Sequence, residues 1–197
     1  MKKVLIGFLS LIFAGQVAVA QPVSDQAIIP MAITINSILR LNIVSGGNME
    51  FVFNSIDQIT NGIVNSTAYD TRFTVASSTN WTLNFGTDVA DFTATGGAII
   101  PLNLVALQVD NDVTGTCFPG RCVSATYFGA YGDLVNATTA LINNGTGNVG
   151  NSVDNAFVIH WECATAANCT SQFLPTGAVA AGPGRYSANI FLSLVAL

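Results

Sequence analysis

The chain has 197 residues, with six Lys and Arg against eleven Asp and Glu, and half of it is hydrophobic while only 9% is charged. This length suits one domain with a substantial core. An acidic balance with no basic stripe and no arginine cluster argues against nucleic acid or anionic membrane as partners. Few charges among many Thr, Asn, Ser, Gly, Val, Ile and Phe residues is the composition of strands joined by polar turns.

Met1-Lys2-Lys3 leads into an apolar stretch from Val4 to Ala14, and Val17-Ala18-Val19-Ala20 supplies a small-x-small site before Gln21. That is the layout of a secretory signal peptide cleaved after Ala20, and the apolar stretch is too short for a membrane anchor. Residues 1–20 are expected to be removed. Residues 21–197 are expected to form one exported domain, extracellular or on the outer surface of a bacterial cell, reached by way of a periplasm and without a membrane span. The exported part keeps Arg40, Arg72, Arg121 and Arg185 but no lysine, four basic residues against eleven acidic ones, for a net charge of −7.

Residues 21–35 open the exported part as an arm that is rich in apolar residues from Val23 to Ile35. After Pro30 the segment Ala32–Val44 alternates, with Ile33, Ile35, Leu39, Leu41 and Ile43 on one side and Thr34, Asn36, Arg40 and Asn42 on the other, which predicts a half-buried strand. Ser45-Gly46-Gly47-Asn48 then turns the chain into Met49–Phe53, and the two segments are expected to pair as a hairpin. A second hairpin is predicted from Arg72–Ala76 and Trp81–Phe85 around Ser77-Ser78-Thr79-Asn80, with Phe73 and Val75 on one core face and Trp81, Leu83 and Phe85 on another. The run Ala98–Val109 is apolar enough to be buried on both faces, with Pro101 at its start or at an edge.

Val123–Phe128 predicts a further strand, and a helical period is discernible only near Leu134–Ile142. Residues 143–151 read as a flexible, Asn/Gly-rich loop. Ala156–Cys163 alternates Phe157, Ile159 and Trp161 against Val158, His160 and Glu162, and Tyr186–Leu197 is read as one long strand. Seven or more such strands with polar turns predict an all-β protein, an antiparallel β-sandwich.

All four cysteines lie in the exported part, at Cys117, Cys122, Cys163 and Cys169. An even count behind a signal peptide points to disulfides. Of the three connectivities, 117–122 with 163–169 is favoured because Pro119-Gly120 brings its flanks together. A metal centre is disfavoured, since neither spacing is CxxC and His160 is the only histidine. Its place in a strand, with Glu162 on the same face, reads as the solvent side of a sheet rather than an acid–base site. Asp110-Asn111-Asp112 begins like a calcium loop, but Arg121 stands where the closing Glu belongs. Asp88 and Asp91 read as turn residues. Asn65, Asn80, Asn136, Asn144 and Asn168 begin glycosylation sequons that reflect an Asn/Thr-rich composition. No catalytic, cofactor or metal residues are assigned, and the chain is read as not an enzyme.

Gly184-Arg185-Tyr186 leads into a strand in which Tyr186, Ala188, Ile190, Leu192 and Leu194 alternate with Ser187, Asn189, Phe191, Ser193 and Val195. Here the chain resembles secreted pilin-like subunits of the chaperone–usher and spore-coat-U type, whose last strand commonly follows Gly-x-Tyr and alternates apolar residues. Many members carry a disulfide near the start of the mature domain and a penultimate aromatic residue, whereas here the first cysteine is Cys117 and Ala196 is penultimate. The resemblance implies an Ig-like, pilin-like sandwich and a noncatalytic subunit of a fimbrium-like filament or surface layer. It also implies self-association by strand exchange and a periplasmic assembly chaperone as a candidate partner. Ile29, Ile33 and Ile35 of the arm, with Tyr186, Ile190, Leu192 and Leu194, are the expected assembly strands. The alternative is a monomeric adhesin or carbohydrate-binding module that uses Tyr127, Tyr131 and the cysteine-bounded loops.

Overall fold

Residues two apart in an extended chain share a face, and among the described residues the structure turns that alternation into eleven strands. A computed structural model describes residues 27–112, 129–143 and 149–197. The chain divides into two units, Met1–Ile35 and Asn36–Leu197. In the first, residues 27–35 carry neither helix nor strand, and Ile28, Ile29, Met31, Ile33 and Ile35 are exposed.

The second unit begins with β1 (Leu39–Ser45), the short helix α1 (Ile56–Asn61), β2 (Asp70–Ser77), β3 (Trp81–Thr87), β4 (Asp91–Ala94) and β5 (Ile99–Pro101). It continues through β6 (Val105–Asn111), β7 (Gly132–Asp133), β8 (Thr139–Asn143), β9 (Ala156–Cys163), β10 (Tyr186–Ser187) and β11 (Ile190–Ala196). The strands form three antiparallel sheets, ordered β1-β2-β9-β6-β7, β11-β3-β8 and β10-β4-β5. The protein is an all-β sandwich, as its alternation requires.

One core joins the first two sheets. Phe73 and Val75 of β2, Leu107 and Val109 of β6, and Phe157, Ile159 and Trp161 of β9 meet Trp81, Leu83 and Phe85 of β3 and Leu141 and Ile142 of β8. Phe157 is the hinge of this contact. It stacks on its cross-strand neighbour Phe73 at 5.3 Å between ring centroids, and it meets Trp81 of the other sheet in a T-shaped contact at 5.9 Å. Aromatic pairs in such geometries add to the stabilisation from burial itself. The one polar atom of Trp161 is satisfied as well, because its Nε1 donates to Thr71 Oγ1 at 3.0 Å and that hydroxyl donates to the Gly46 carbonyl at 2.7 Å.

Several pairings differ from those expected. The strand read from Ala32 begins only at Leu39, and β1 pairs with β2 rather than with Met49–Phe53. The latter segment forms no strand, although Met49, Phe51 and Phe53 do turn inward against the core. Arg72–Ala76 and Trp81–Phe85 are not a hairpin: β2 and β3 belong to different sheets, and Ser78-Thr79-Asn80 arches over the edge of the core between them. Their core faces are as read, since facing sheets and paired strands make the same demand on alternation.

The apolar run Ala98–Val109 is split by a 3₁₀ turn at Leu102–Leu104 into β5 and β6, with Pro101 on the edge strand β5. The helical period near Leu134–Ile142 is not realised, and β8 occupies its second half. The C-terminal segment is two strands, since β10 pairs with β4 and β11 with β3. The strand expected at Val123–Phe128 and most of the Asn/Gly-rich loop lie outside the described residues.

The helix α1 was not anticipated, although its start is legible. Ser55 caps it by accepting from Gln58 N at 3.2 Å, and Gln58 Oε1 reaches back to accept from Asn54 N at 2.7 Å, a variant of the capping box. It stops at Gly62, whose φ of 78° lies in the left-handed region. A Cβ at Gly62 would collide with the Ala164 and Cys163 backbone, where Ile63 and Cys163 exchange hydrogen bonds of 2.8 and 2.9 Å.

Phe157→Ala is expected to cost about 3–5 kcal/mol and to lower Tm by more than about 6 °C. Gly62→Ala, through strain and collision together, should cost about 1–3 kcal/mol. Urea unfolding of the two variants beside the parent measures both.

Candidate functional site

The expected assembly residues fall in two places. Ile29, Ile33 and Ile35 lie in segment 27–35, which carries neither helix nor strand, each more than 80% exposed. Tyr186, Leu192 and Leu194 pack against the core from β10 and β11, whereas Ile190, at the head of β11, is 37% exposed.

Among the described residues β11 pairs only with β3, and β1 only with β2. Each therefore presents a row of backbone donors and acceptors on its other side, which is a template for a further strand. Both edges also carry exposed apolar side chains, Ile43 and Val44 on β1 and Ile190, Phe191 and Val195 on β11. β1 approaches β11, so the two edges share one flank of the sandwich.

The crossing from β10 to β11 is fixed by a clamp. Asp88 Oδ1 accepts from Asn189 N at 2.9 Å, Asp88 Oδ2 accepts from Asn189 Nδ2 at 2.7 Å, and Asp88 N donates to the Asn189 carbonyl at 3.1 Å. The Asn189 side-chain amide and then its backbone N–H hold the Asp88 carboxyl below its ordinary range. Asp88 is thus a junction residue between the two strands.

A second constellation lies on the outer face of the five-stranded sheet. There alternation places Asp70 and Arg72 of β2 beside His160 and Glu162 of β9 and Gln108 and Asp110 of β6, with Asp70, His160 and Gln108 in one cross-strand row. His160 Nδ1 lies 2.7 Å from Asp70 Oδ1. A carboxylate can only accept, so Nδ1 carries the proton. His160 Nε2 lies 3.7 Å from Asp110 Oδ2, which also accepts from Gln108 Nε2 at 2.9 Å. Arg72 reaches Asp70 at 3.7 Å and pairs closely with Asp112.

This face is less open than the sequence suggested. Asp70 and Glu162 are buried and His160 is partly so; Asn65 bonds to both carboxylates and Tyr131 to Glu162. Glu162 accepts from Thr165 Oγ1 and Asn168 Nδ2, both at 2.8 Å, and from Asn65 N at 3.4 Å. Tyr131 also hydrogen-bonds it. Burial first, then the charge of Glu162 and that hydrogen bond, then Asp110 and Asp70, push the Tyr131 hydroxyl up to about 12. Tyr131 therefore belongs to this polar network. Trp81 and Trp161 are core residues, and Tyr127 lies outside the described residues.

Three sequon asparagines spend their amides on the fold. Asn65 Nδ2 donates to Asp70, Asn168 Nδ2 to Glu162, and Asn136 Nδ2 to the Thr87 and Val89 carbonyls.

Cys163 and Cys169 correct another expectation. They are not bridged but stand as two buried free thiols at either end of a turn that includes Ala164 with φ of 57°. That turn is held instead by Cys169 N donating to the Thr165 carbonyl at 3.0 Å and by the Glu162 contacts. Burial pushes both thiols up, Cys163 further through the nearby Cys169 and Cys169 less because Thr165 bonds to it. Cys117 and Cys122 lie outside the described residues. Among the described residues no group of three or more His, Cys, Asp or Glu side chains is placed to hold a metal, and no helix is long and apolar enough to cross a membrane. The chain matches no known family model, and no characterised protein matches it either.

Reactivity requires thiolate, so Cys163 and Cys169 should resist iodoacetamide in the native protein and alkylate in urea, as mapped by mass spectrometry. Because the Tyr131 hydroxyl holds its proton more tightly in the folded state, the resulting stability is complete below about pH 10 and lost as pH rises towards 12. Urea midpoints at pH 9 and 11 should show this loss, and Tyr131→Phe should shrink it.

Proposed function

We propose that the protein is a noncatalytic structural subunit of a bacterial surface filament or layer, exported after removal of residues 1–20 and assembled by strand exchange. In this reading the arm, residues 21–35, is the donor. The flank carrying β1 and β11 is the acceptor.

The observation that carries the reading is the arm's pattern. Ile29, Met31, Ile33 and Ile35 recur at every second position and all four are exposed, so on adopting a strand conformation the segment would set all four on one face. An isolated chain has no reason to display four such side chains in a row. Burying each contributes roughly 1.5–3 kcal/mol, about 6–12 kcal/mol for the set, which is enough to offset much of the cost of association. The two edges offer the unpaired backbone groups and the apolar neighbours, Ile43, Val44, Ile190, Phe191 and Val195, that an added strand needs.

The test is negative-stain electron microscopy with size-exclusion chromatography of the exported chain, comparing the parent with Ile33→Asp, Ile35→Asp and a form lacking residues 21–35. Regular, detergent-resistant polymers are expected from the parent alone, with secretion unchanged. Polymers that persist in all three variants remove the arm from the mechanism. A parent that stays monomeric under every condition sinks the assembly reading and favours a monomeric binding module.

A further inference from the structure

The three-stranded sheet β11-β3-β8 has an outer face of a different character from that of its five-stranded partner. Leu192 and Leu194 of β11 and Leu83 and Phe85 of β3 pack against the core. Alternation therefore sends Phe191, Ser193 and Val195 outward, each beside an outward residue of β3: Gly86, Asn84 and Thr82. Phe191 is 40% exposed, and the far end of its ring rests over Gly86, where a Cβ would come within 2.6 Å of Cζ. A glycine inside a strand marks a close approach to the backbone, and here it lets an aromatic ring settle against the sheet with the rest of its surface open to solvent. We propose that this outer face is a binding site for a neutral polysaccharide, with Phe191 as its stacking ring.

Charge selects the ligand class. β3, β8 and β11 contain no charged residue, so an acidic polymer finds no cation on these strands, and the acidic balance of the chain opposes it. Hydrogen bonding points the same way. On the five-stranded sheet the outward polar groups Asp70, Arg72, Gln108 and Glu162 are committed to one another and to their neighbours. Among the described residues the side chains of Thr82, Asn84 and Ser193 enter no hydrogen bond. They offer hydroxyl and amide groups that both donate and accept, which is what a rim of sugar hydroxyls requires. A sugar ring also has a C–H face, weakly positive at its hydrogens, and the face of an aromatic ring is negative.

Size favours a glycan over a protein. From Phe191 to Val195 the face runs about 14 Å, and its three strands span about 10 Å. Such a patch accommodates a short run of sugar rings but falls far below the roughly 800 Å² per partner of a stable protein interface. A strand added at the free edge of β11 would lie in the plane of the sheet and would widen this face without covering it. The inference does not depend on strand exchange.

The experiment is isothermal titration calorimetry of the exported chain with neutral hexasaccharides of α- and β-linked glucan, mannan and galactan, and with hexagalacturonate as the acidic counterpart. Saturable binding of at least one neutral hexasaccharide is expected, with none of hexagalacturonate. Phe191→Ala should weaken that binding roughly tenfold, and Asn84→Ala should weaken it several-fold. Gln108→Ala, on the outer face of the other sheet, should leave it unchanged. Should Phe191→Ala fail to fold, Ser193→Arg, which sets a long charged side chain on the same face, replaces it and should abolish binding. Absence of heat with every neutral hexasaccharide, equal binding of hexagalacturonate, or an unchanged Kd in the folded face variant overturns the site.

Discussion

Phe157 is the point at which the two larger sheets become one body. Its ring is in contact with Phe73 beside it and Trp81 across from it, so the side chain that completes the inner face of one sheet also seats the other. Around it lie apolar residues that are nearly solvent-free, and close packing of this kind transmits any change of volume to its neighbours. Everything on the outside of the five-stranded sheet inherits its position from this contact. β9 carries Phe157, Ile159 and Trp161 inward and His160 and Glu162 outward, and fixing the one set fixes the other.

The outer face is organised on the opposite principle. Glu162 is almost as buried as the core residues behind it, yet its donors, Asn65, Thr165, Asn168 and Tyr131, are all uncharged. A buried carboxylate needs such donors, because an unpaired charge there would be very costly. Those donors come from three stretches of chain distant in sequence, so this one anion gathers the 63–69 segment, the approach to β7 and the turn after β9. The turn between Cys163 and Cys169 thus has a polar anchor where the cysteine spacing alone suggested a covalent one.

Which side chains face inward was legible in the sequence almost everywhere that alternation is strong: Phe73, Val75, Trp81, Leu83, Phe85, Phe157, Ile159 and Trp161 are all core residues. Which strand lies beside which was not. A period of two assigns faces, not neighbours, and a short polar connection such as Ser78–Asn80 serves an arch between sheets as readily as a hairpin. For the same reason the alternation through Ala32–Val44 marked a strand that in fact begins at Leu39. The outward cluster was harder still. His160 and Glu162 could be placed on one face, but Asp70 stands 90 residues earlier, and only the register between β2 and β9 brings it within 2.7 Å of the imidazole. The free thiols were missed because sequence spacing says nothing of how a turn orients its two ends.

The passage of the chain from β10 to β11 across only Ala188 and Asn189 has a mechanical meaning. Tension along the C-terminal strand would act parallel to the seven residue pairs that join β11 to β3. They would be sheared together rather than peeled apart one after another. Behind them the Asp88–Asn189 clamp sits where the load would pass to the sheet containing β10 and β4. Rupture would therefore require several backbone hydrogen bonds to fail at once, giving this end of the sandwich a resistance to pulling that its modest burial alone would not suggest.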